Sequence, residues 1–266
     1  MHGIGNDFVI LDGRERMPSL EPAWLQHLAD RRRGVGCDQV LVVTGGEPDY
    51  GYRIFNADGQ EVEQCGNGVR CVAQWLHDQG AIGNRATLNS MAGPVGVEVL
   101  EAGMVRVDMG SPQFDPVSVP FRADQRSERY KVVVDGWHID MAILSMGNPH
   151  AVVLVDSLED APVAEIGSAL QQHPSFPQAV NVGFARIDSP DQIALRVYER
   201  GVGETQACGT GACAAAVAGM LWGLAEPRVT VRLTGGDLVI EWSGEGTHVM
   251  MTGPAEYAFA GSIEHS

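Results

Sequence analysis

Short apolar runs, each closed by glycine, proline or an acidic residue, recur along the chain. They predict strands at Phe8–Leu11, Val40–Val43, Tyr52–Phe55, Val95–Leu100, Val105–Met109 and Lys131–Val134. The same pattern predicts strands at His138–Ile143, Ala151–Val155, Ile193–Val197, Val229–Leu233, Leu238–Trp242 and Thr247–Thr252. Helical spacing is rarer. Trp24, Leu25 and Leu28 mark a helix over Pro22–Arg32, and further helices are predicted at Gly68–Gln79, Val163–Gln171 and Gly211–Leu224. Many short strands with few helices point to an α+β architecture.

The last of these helices is apolar on every side from Ala212 to Leu224. Such a helix is buried all round or lies in a membrane. The uncharged stretch from Gly211 to Ala225 falls short of the roughly 20 residues that span a bilayer, so a sheet wrapped around the helix is expected. Composition agrees with a packed core: 44% of the 266 residues are hydrophobic and 20% charged. With 34 acidic against 18 basic residues, the net charge is −16. Such a surface repels nucleic acids and anionic membranes. Lys131 is the only lysine and sits in a strand-like run, a poor setting for a pyridoxal-phosphate Schiff base. The opening residues lack a basic region followed by an apolar stretch, so no secretory leader is expected. Five cysteines, Cys37, Cys65, Cys71, Cys208 and Cys213, then read as reduced thiols in the cytoplasm.

The chain repeats itself. Arg53–Gly68 aligns without gaps on Arg196–Gly211 at an offset of 143, with Arg, Glu, Cys, Gly and Gly recurring. Gly5-Asn6 matches Gly147-Asn148 at an offset of 142. Two related domains follow. Each repeat reads as strand, acidic turn, Cys-Gly-x-Gly and helix, which puts Cys65 and Cys208 at helix N-termini. Glycine lets a ligand approach the backbone, and the free amides and helix dipole favour an anion there. The same field lowers a thiol pKa. Against this stands the plain reading of a cysteine as a small core residue, which suits Cys37, Cys71 and Cys213. Zinc is disfavoured, since neither cysteine spacing is C-x-x-C and no histidine lies close in sequence. A phosphate loop is excluded because no Gly-Lys-Ser/Thr follows either turn. Two equivalent thiols suit inversion at a carbon centre, one acting as thiolate base and the other as thiol acid, with roles exchanged in reverse. Helix N-termini would hold a substrate carboxylate as charge develops, with no metal or organic cofactor needed.

Met1–Phe8, Gln64-Cys-Gly-Asn-Gly-Val-Arg-Cys71, Gly147-Asn-Pro-His150, Val180-Asn-Val-Gly183 and Tyr198–Cys213 together resemble the diaminopimelate epimerase family nearly end to end. The resemblance implies two homologous domains, each a mixed, barrel-like sheet curled around a central helix, with the active site in the cleft between them. It implies interconversion of LL- and meso-2,6-diaminopimelate in lysine and cell-wall precursor synthesis, without cofactor, by a homodimer. The domains are then 1–112 and 113–254, with a C-terminal strand at 255–266 returning to the first. Carried over by motif, Cys65 and Cys208 are the acid/base pair. Gly66, Asn67, Gly209 and Thr210 hold the reacting carboxylate. Asn6, Gln39, Asn56, Asn148, Asn181, Glu199 and Arg200 recognise the rest of the substrate, and His150 and Glu199 tune the thiols. Arg200 suits a distal carboxylate and Glu199 an ammonium. The family usually carries a few strand-forming residues ahead of Met-His-Gly, so either the first strand is shortened here or the start is misassigned.

Plainer readings stand beside these. Asn6, Asn56 and Asn148 fit ordinary turns, His150 fits a structural histidine, and Arg31-Arg32-Arg33 fits a solvated helix end. A proline or hydroxyproline racemase would also use two cysteines, a PhzF-like isomerase would lack them, and a non-catalytic amino-acid binder would have no need of both.

Overall fold

A computed structural model describes residues 1–62 and 65–263. Gln64 of the first cysteine motif lies outside them, as do the last three residues of the 255–266 segment. The chain forms two compact units, Met1–Val107 together with the segment from Gly253 onward, and Asp108–Thr252.

In the first unit the strands are β1 (His2–Gly3), β2 (Asn6–Asp12), β3 (Gln39–Thr44), β4 (Gly51–Asn56), β5 (Glu61–Val62), β6 (Arg85–Ser90), β7 (Gly93–Val99) and β8 (Met104–Asp108). The helices are α1 (Pro22–Ala29) and α2 (Gly66–Asp78). After β1, which pairs antiparallel with it, β2 runs parallel to β3 across the α1 crossover, as a parallel pair requires. Next, β4 lies antiparallel to β3, takes the short β5, and runs parallel to β6 across α2. Hairpins to β7 and β8 complete the series.

The second unit contains β9 (Tyr130–Val134), β10 (Trp137–Ser145), β11 (Pro149–Leu154), β12 (Asn181–Ser189), β13 (Gln192–Glu199), β14 (Gly203–Thr205), β15 (Arg228–Leu233), β16 (Gly236–Glu241) and β17 (Met250–Pro254), with α3 (Val163–Gln171) and α4 (Gly209–Leu221). Its pairings repeat the same order. β11 is parallel to β12 across α3, β13 is antiparallel to β12 and takes β14, β15 is parallel to β13 across α4, and β16 and β17 follow as antiparallel neighbours. The duplication extends to side chains. Arg53 forks onto Glu61 at 2.7 Å through both Nε and Nη2, and Arg196, 143 residues later, forks onto Glu204. This pair staples each acidic turn to the strand before it.

In each unit the sheet is mixed and unclosed, with one helix on each face. Leu25, Leu28 and Ala29 of α1 pack with Cys37, Val40, Val42 and Phe55 on one face of the first sheet. Ile166 and Leu170 of α3 do the same with Phe184, Val182 and Met141 in the second. On the other face, α2 packs against β1, β2, β3 and β7, and α4 against β10 to β13, β15 and β16. Residues Ala212 to Ala218 of α4 are at most 1% exposed, which explains the missing polar face. No helix among the described residues is long and apolar enough to cross a membrane.

The structure adds five strands that the apolar pattern did not predict: β1, β5, β6, β12 and β14. The strand expected at Thr247–Thr252 begins later, at Met250, because Thr247 closes a turn onto Gly244. The first helix stops at Ala29 rather than Arg32, while α2 and α4 begin two residues earlier than expected, directly after the cysteines. Among its described residues the C-terminal segment after Pro254 forms no strand: Glu256 makes one bridge to His2, and residues 257–263 have no regular structure.

Candidate active site

Strand register brings the first unit's candidates to one edge of its sheet. Asn6 opens β2, Gln39 opens β3 and Asn56 closes β4 directly opposite Gln39. Gln39 Nε2 donates to Asn56 Oδ1 at 2.8 Å. At the same edge Cys65 is the N-cap residue of α2, with extended backbone angles, and Gly66 and Asn67 form the first turn. The Cys65 thiol lies 3.7 Å from Asn6 Oδ1, which also accepts from Asn67 Nδ2 at 3.3 Å. Gly5 takes a φ of 87°, the left-handed turn that delivers Asn6 to this position.

The second unit repeats the arrangement. Gly147 has a φ of 92° and delivers Asn148, Asn181 opens β12 opposite His150, and Glu199 closes β13. Cys208 caps α4, followed by Gly209 and Thr210, with its sulfur 3.8 Å from Thr210 Oγ1. Asn148 Nδ2 donates to the same Thr210 oxygen at 3.3 Å. Asn181 is held at both ends of its amide: its Nδ2 donates to Pro149 O at 3.0 Å and its Oδ1 accepts the Arg200 backbone N–H at 2.9 Å. Arg200 is exposed and reaches Gln178 O with Nη1 at 3.3 Å. Glu199 Oε1 accepts from Thr205, a partner that sequence reasoning missed although Thr205 lies within the repeat. The last glycine of the second Cys-Gly-x-Gly has a steric reason: a Cβ on Gly211 would sit 3.1 Å from both Cys208 Sγ and Val197 Cγ2.

The electrostatics depart from the simple helix-dipole expectation. Burial pushes the Cys208 thiol well above its ordinary pKa, and the Glu199 carboxylate adds to the effect. The Gly211 N–H and the Thr210 hydroxyl oppose it without overcoming it. Desolvation therefore outweighs the helix terminus, and Cys208 rests as a thiol. Cys37 and Cys71 are also raised by burial, to about 11 and about 12, and lie in packed cores. None of the five cysteines is in a disulfide. Among the described residues no group of three His, Cys, Asp or Glu side chains is placed to hold a metal ion.

His150 replaces Phe8 of the first repeat at an offset of 142 and is 1% exposed. Burial, with the Arg200 charge adding, lowers its imidazole to about 3. The neutral ring donates from Nε2 to Asn148 Oδ1, 2.9 Å away. A ring whose pKa falls below its ordinary 6.5 on folding supports the fold above that pH. The support drains away as the pH falls toward 3, because the unfolded chain then binds the extra proton. Between pH 7 and 5 this amounts to about 2 kcal/mol. Urea unfolding of His150→Gln at the two pH values should show that share of the acid loss removed; an unchanged acid loss would mean that His150 is not buried as a neutral ring.

A family model described as diaminopimelate epimerase matches residues 1–115 and 142–258. The diaminopimelate epimerase of Chromobacterium violaceum is 51% identical over 99% of this chain and 97% of its own length. That of Nitrosospira multiformis is 50% identical over 99% and 96%. The chain belongs to the diaminopimelate epimerase family. Solved structures share its fold at lower identity. A probable proline racemase from Agrobacterium radiobacter K84 has a TM-score of 0.67 at 19% identity, covering 95% of this chain and 88% of that one. A hydroxyproline epimerase from Agrobacterium vitis has a TM-score of 0.66 at 18% identity, covering 95% and 87%.

Proposed function

We propose that this chain epimerises 2,6-diaminopimelate, interconverting the LL and meso isomers, with Cys65 and Cys208 addressing opposite faces of the reacting Cα. The observation that carries this reading is the duplicated placement of a cysteine as the N-cap of a glycine-opened helix, beside a turn-borne asparagine. A thiolate on one face takes the α-proton and becomes a thiol. The carbanion is then protonated from the other face by the second thiol, which becomes a thiolate, so the pair exchanges states with each turnover. The first-turn amides at Gly66, Asn67, Gly209 and Thr210 receive the α-carboxylate, whose charge grows in the transition state. The raised pKa of Cys208 fits a proton donor, the partner of a thiolate at Cys65.

The far end of the substrate is a second amino acid. Gln39 Oε1 is buried with no hydrogen-bond partner among the described residues, an acceptor suited to an ammonium. Asn56 and Glu199 lie at the equivalent strand ends and extend that polarity. Arg200 presents an exposed guanidinium for the distal carboxylate. On the motifs it shares with the family, we also read the enzyme as a cytoplasmic homodimer.

The test is turnover by the purified chain. LL- and meso-diaminopimelate should interconvert while L-proline and trans-4-hydroxy-L-proline remain unchanged; inversion of proline instead would move the chain to the racemase reading. Arg200→Lys keeps the charge but loses the planar fork. Its affinity for diaminopimelate should fall by about 1.5–3 kcal/mol, with no further loss on a substrate lacking the distal carboxylate. An equal loss on both substrates would place Arg200 at the reacting centre.

A further inference from the structure

The two turn asparagines are held in opposite amide orientations. Asn6 Nδ2 donates to Asp38 Oδ2 at 2.9 Å. A carboxylate only accepts, so this bond fixes which end of the amide faces it. The Asn6 carbonyl oxygen is left toward Cys65 Sγ and Asn67 Nδ2. In the second repeat Asn148 turns the other way, its oxygen toward His150 and its NH2 toward Thr210. The position equivalent to Asp38, at the 142-residue offset, is the apolar and fully buried Val180.

Asp38 is itself held. Arg31 Nη2 donates to Asp38 Oδ1 at 2.7 Å and to Asp7 Oδ1 at 2.8 Å, and Nη1 donates to Asp7 Oδ2 at 2.7 Å. Asp7 Oδ1 also accepts the Asp38 backbone N–H at 2.7 Å, and Asp38 Oδ2 accepts the Asp7 N–H at 3.2 Å. Gly36, at a φ of +84°, leaves room for this arginine, since a Cβ there would lie 2.8 Å from the Arg31 Cα. Arg31 is solvated, as expected from its run of arginines, but it is also tied to Asp7 and Asp38. The Arg31 and Asp38 side chains are 56% and 45% exposed, and ion pairs that open to water add little stability. What the pair does supply is a fixed direction for one amide.

We propose that Asp38, pinned by Arg31, is a positioning residue for the epimerase reaction: it locks Asn6 with its carbonyl oxygen toward the Cys65 thiol. The proposal rests on the reading of Asn6 and Cys65 as site residues. Released from Asp38, the amide rotates, and its NH2 takes the place of the oxygen to which Asn67 Nδ2 and, in its protonated state, the Cys65 thiol donate.

A double-mutant cycle on the full-length enzyme tests this, with kcat and KM for LL-diaminopimelate measured for Asn6→Ala, Asp38→Ala and the double variant. Asp38→Ala should lower kcat/KM by roughly 10- to 100-fold, the scale of a misplaced site group. Asn6→Ala should lower it at least as much, and the double variant should be no worse than Asn6→Ala alone. Asp38→Asn retains an amide oxygen for Asn6 Nδ2 and should recover part of the rate lost in Asp38→Ala. If Asp38→Ala proves unfolded, the cycle is run with Asp38→Asn under the same criterion. Equal losses from the Asp38 change in both backgrounds, or wild-type kcat/KM in the Asp38 variant, would overturn the positioning role while leaving the site intact. Full activity in Asn6→Ala would overturn the site reading itself, and the proposal with it.

Discussion

Cys65→Ala and Cys208→Ala are each expected to lower turnover of the diaminopimelate isomers by at least about 10²–10⁴-fold, the share contributed by one positioned acid or base. The two losses should differ in kind. With one thiol left, one face of Cα can still be deprotonated and reprotonated, but the opposite face has no proton donor. Each variant should therefore exchange the α-proton of at most one isomer and invert neither. Cys37→Ala and Cys71→Ala provide the contrast. Both thiols are buried in packed cores, and burial holds them at about 11 and about 12. Their loss should cost packing on the order of 1 kcal/mol and leave turnover intact. Steady-state rates on both isomers, with mass spectrometric exchange alongside, separate the four variants. Substantial inversion by either Cys65→Ala or Cys208→Ala would rule out the paired thiols.

Ala216→Asp should destabilise the fold by about 3–5 kcal/mol, because a carboxylate is placed where nothing pairs with it. Ala216 is 0% exposed in the middle of α4, a helix enclosed by strands of its own unit. A loss of that size is a large fraction of the roughly 5–15 kcal/mol that holds a typical protein folded. Leu224→Asp lies just past the same helix, where the side chain is 39% exposed, and should change stability by no more than about 0.5 kcal/mol. Urea unfolding monitored by circular dichroism compares the two. Equal midpoints would mean that α4 is not enclosed on all sides.

Elements with a clear pattern of their own were the legible ones. α4 announced itself by the absence of any polar face, and α3 by clean helical spacing, so its predicted and observed bounds coincide. What the apolar pattern missed depends on partners distant in sequence. β12 is buried for its first five residues, yet Gly183, Arg186 and Asp188 interrupt its apolar run. It becomes a strand because β11 and β13 flank it. β6 buries only Leu88 and reads as a polar loop until β7 pairs with it. β1, β5 and β14 are two or three residues long and have no pattern of their own.

The candidate site was legible because the chain states it twice. Neither Gly5-Asn6 nor Gly147-Asn148 stands out from ordinary turns by itself, but the common offset and the shared left-handed glycine set them apart. Asp38 has no counterpart in the second repeat and sits in a loop, where an acidic residue reads as a solvated charge. Its role emerges only from the bonds that Asn6 and Arg31 make to it. The helix dipole was a misleading guide at Cys208, since burial beside Glu199 reverses the direction of the pKa shift.

The most direct measurement of the two-thiol chemistry is epimerisation of LL-diaminopimelate in heavy water, stopped at low conversion, with both isomers weighed by mass spectrometry. Two opposed thiols predict one deuterium at the inverted carbon of the meso product. The remaining LL substrate stays unlabelled, because the abstracted proton resides on one sulfur while the new hydrogen comes from the other. Meso product that keeps the original protium would show a single group carrying the proton from face to face, and would contradict the paired action of Cys65 and Cys208.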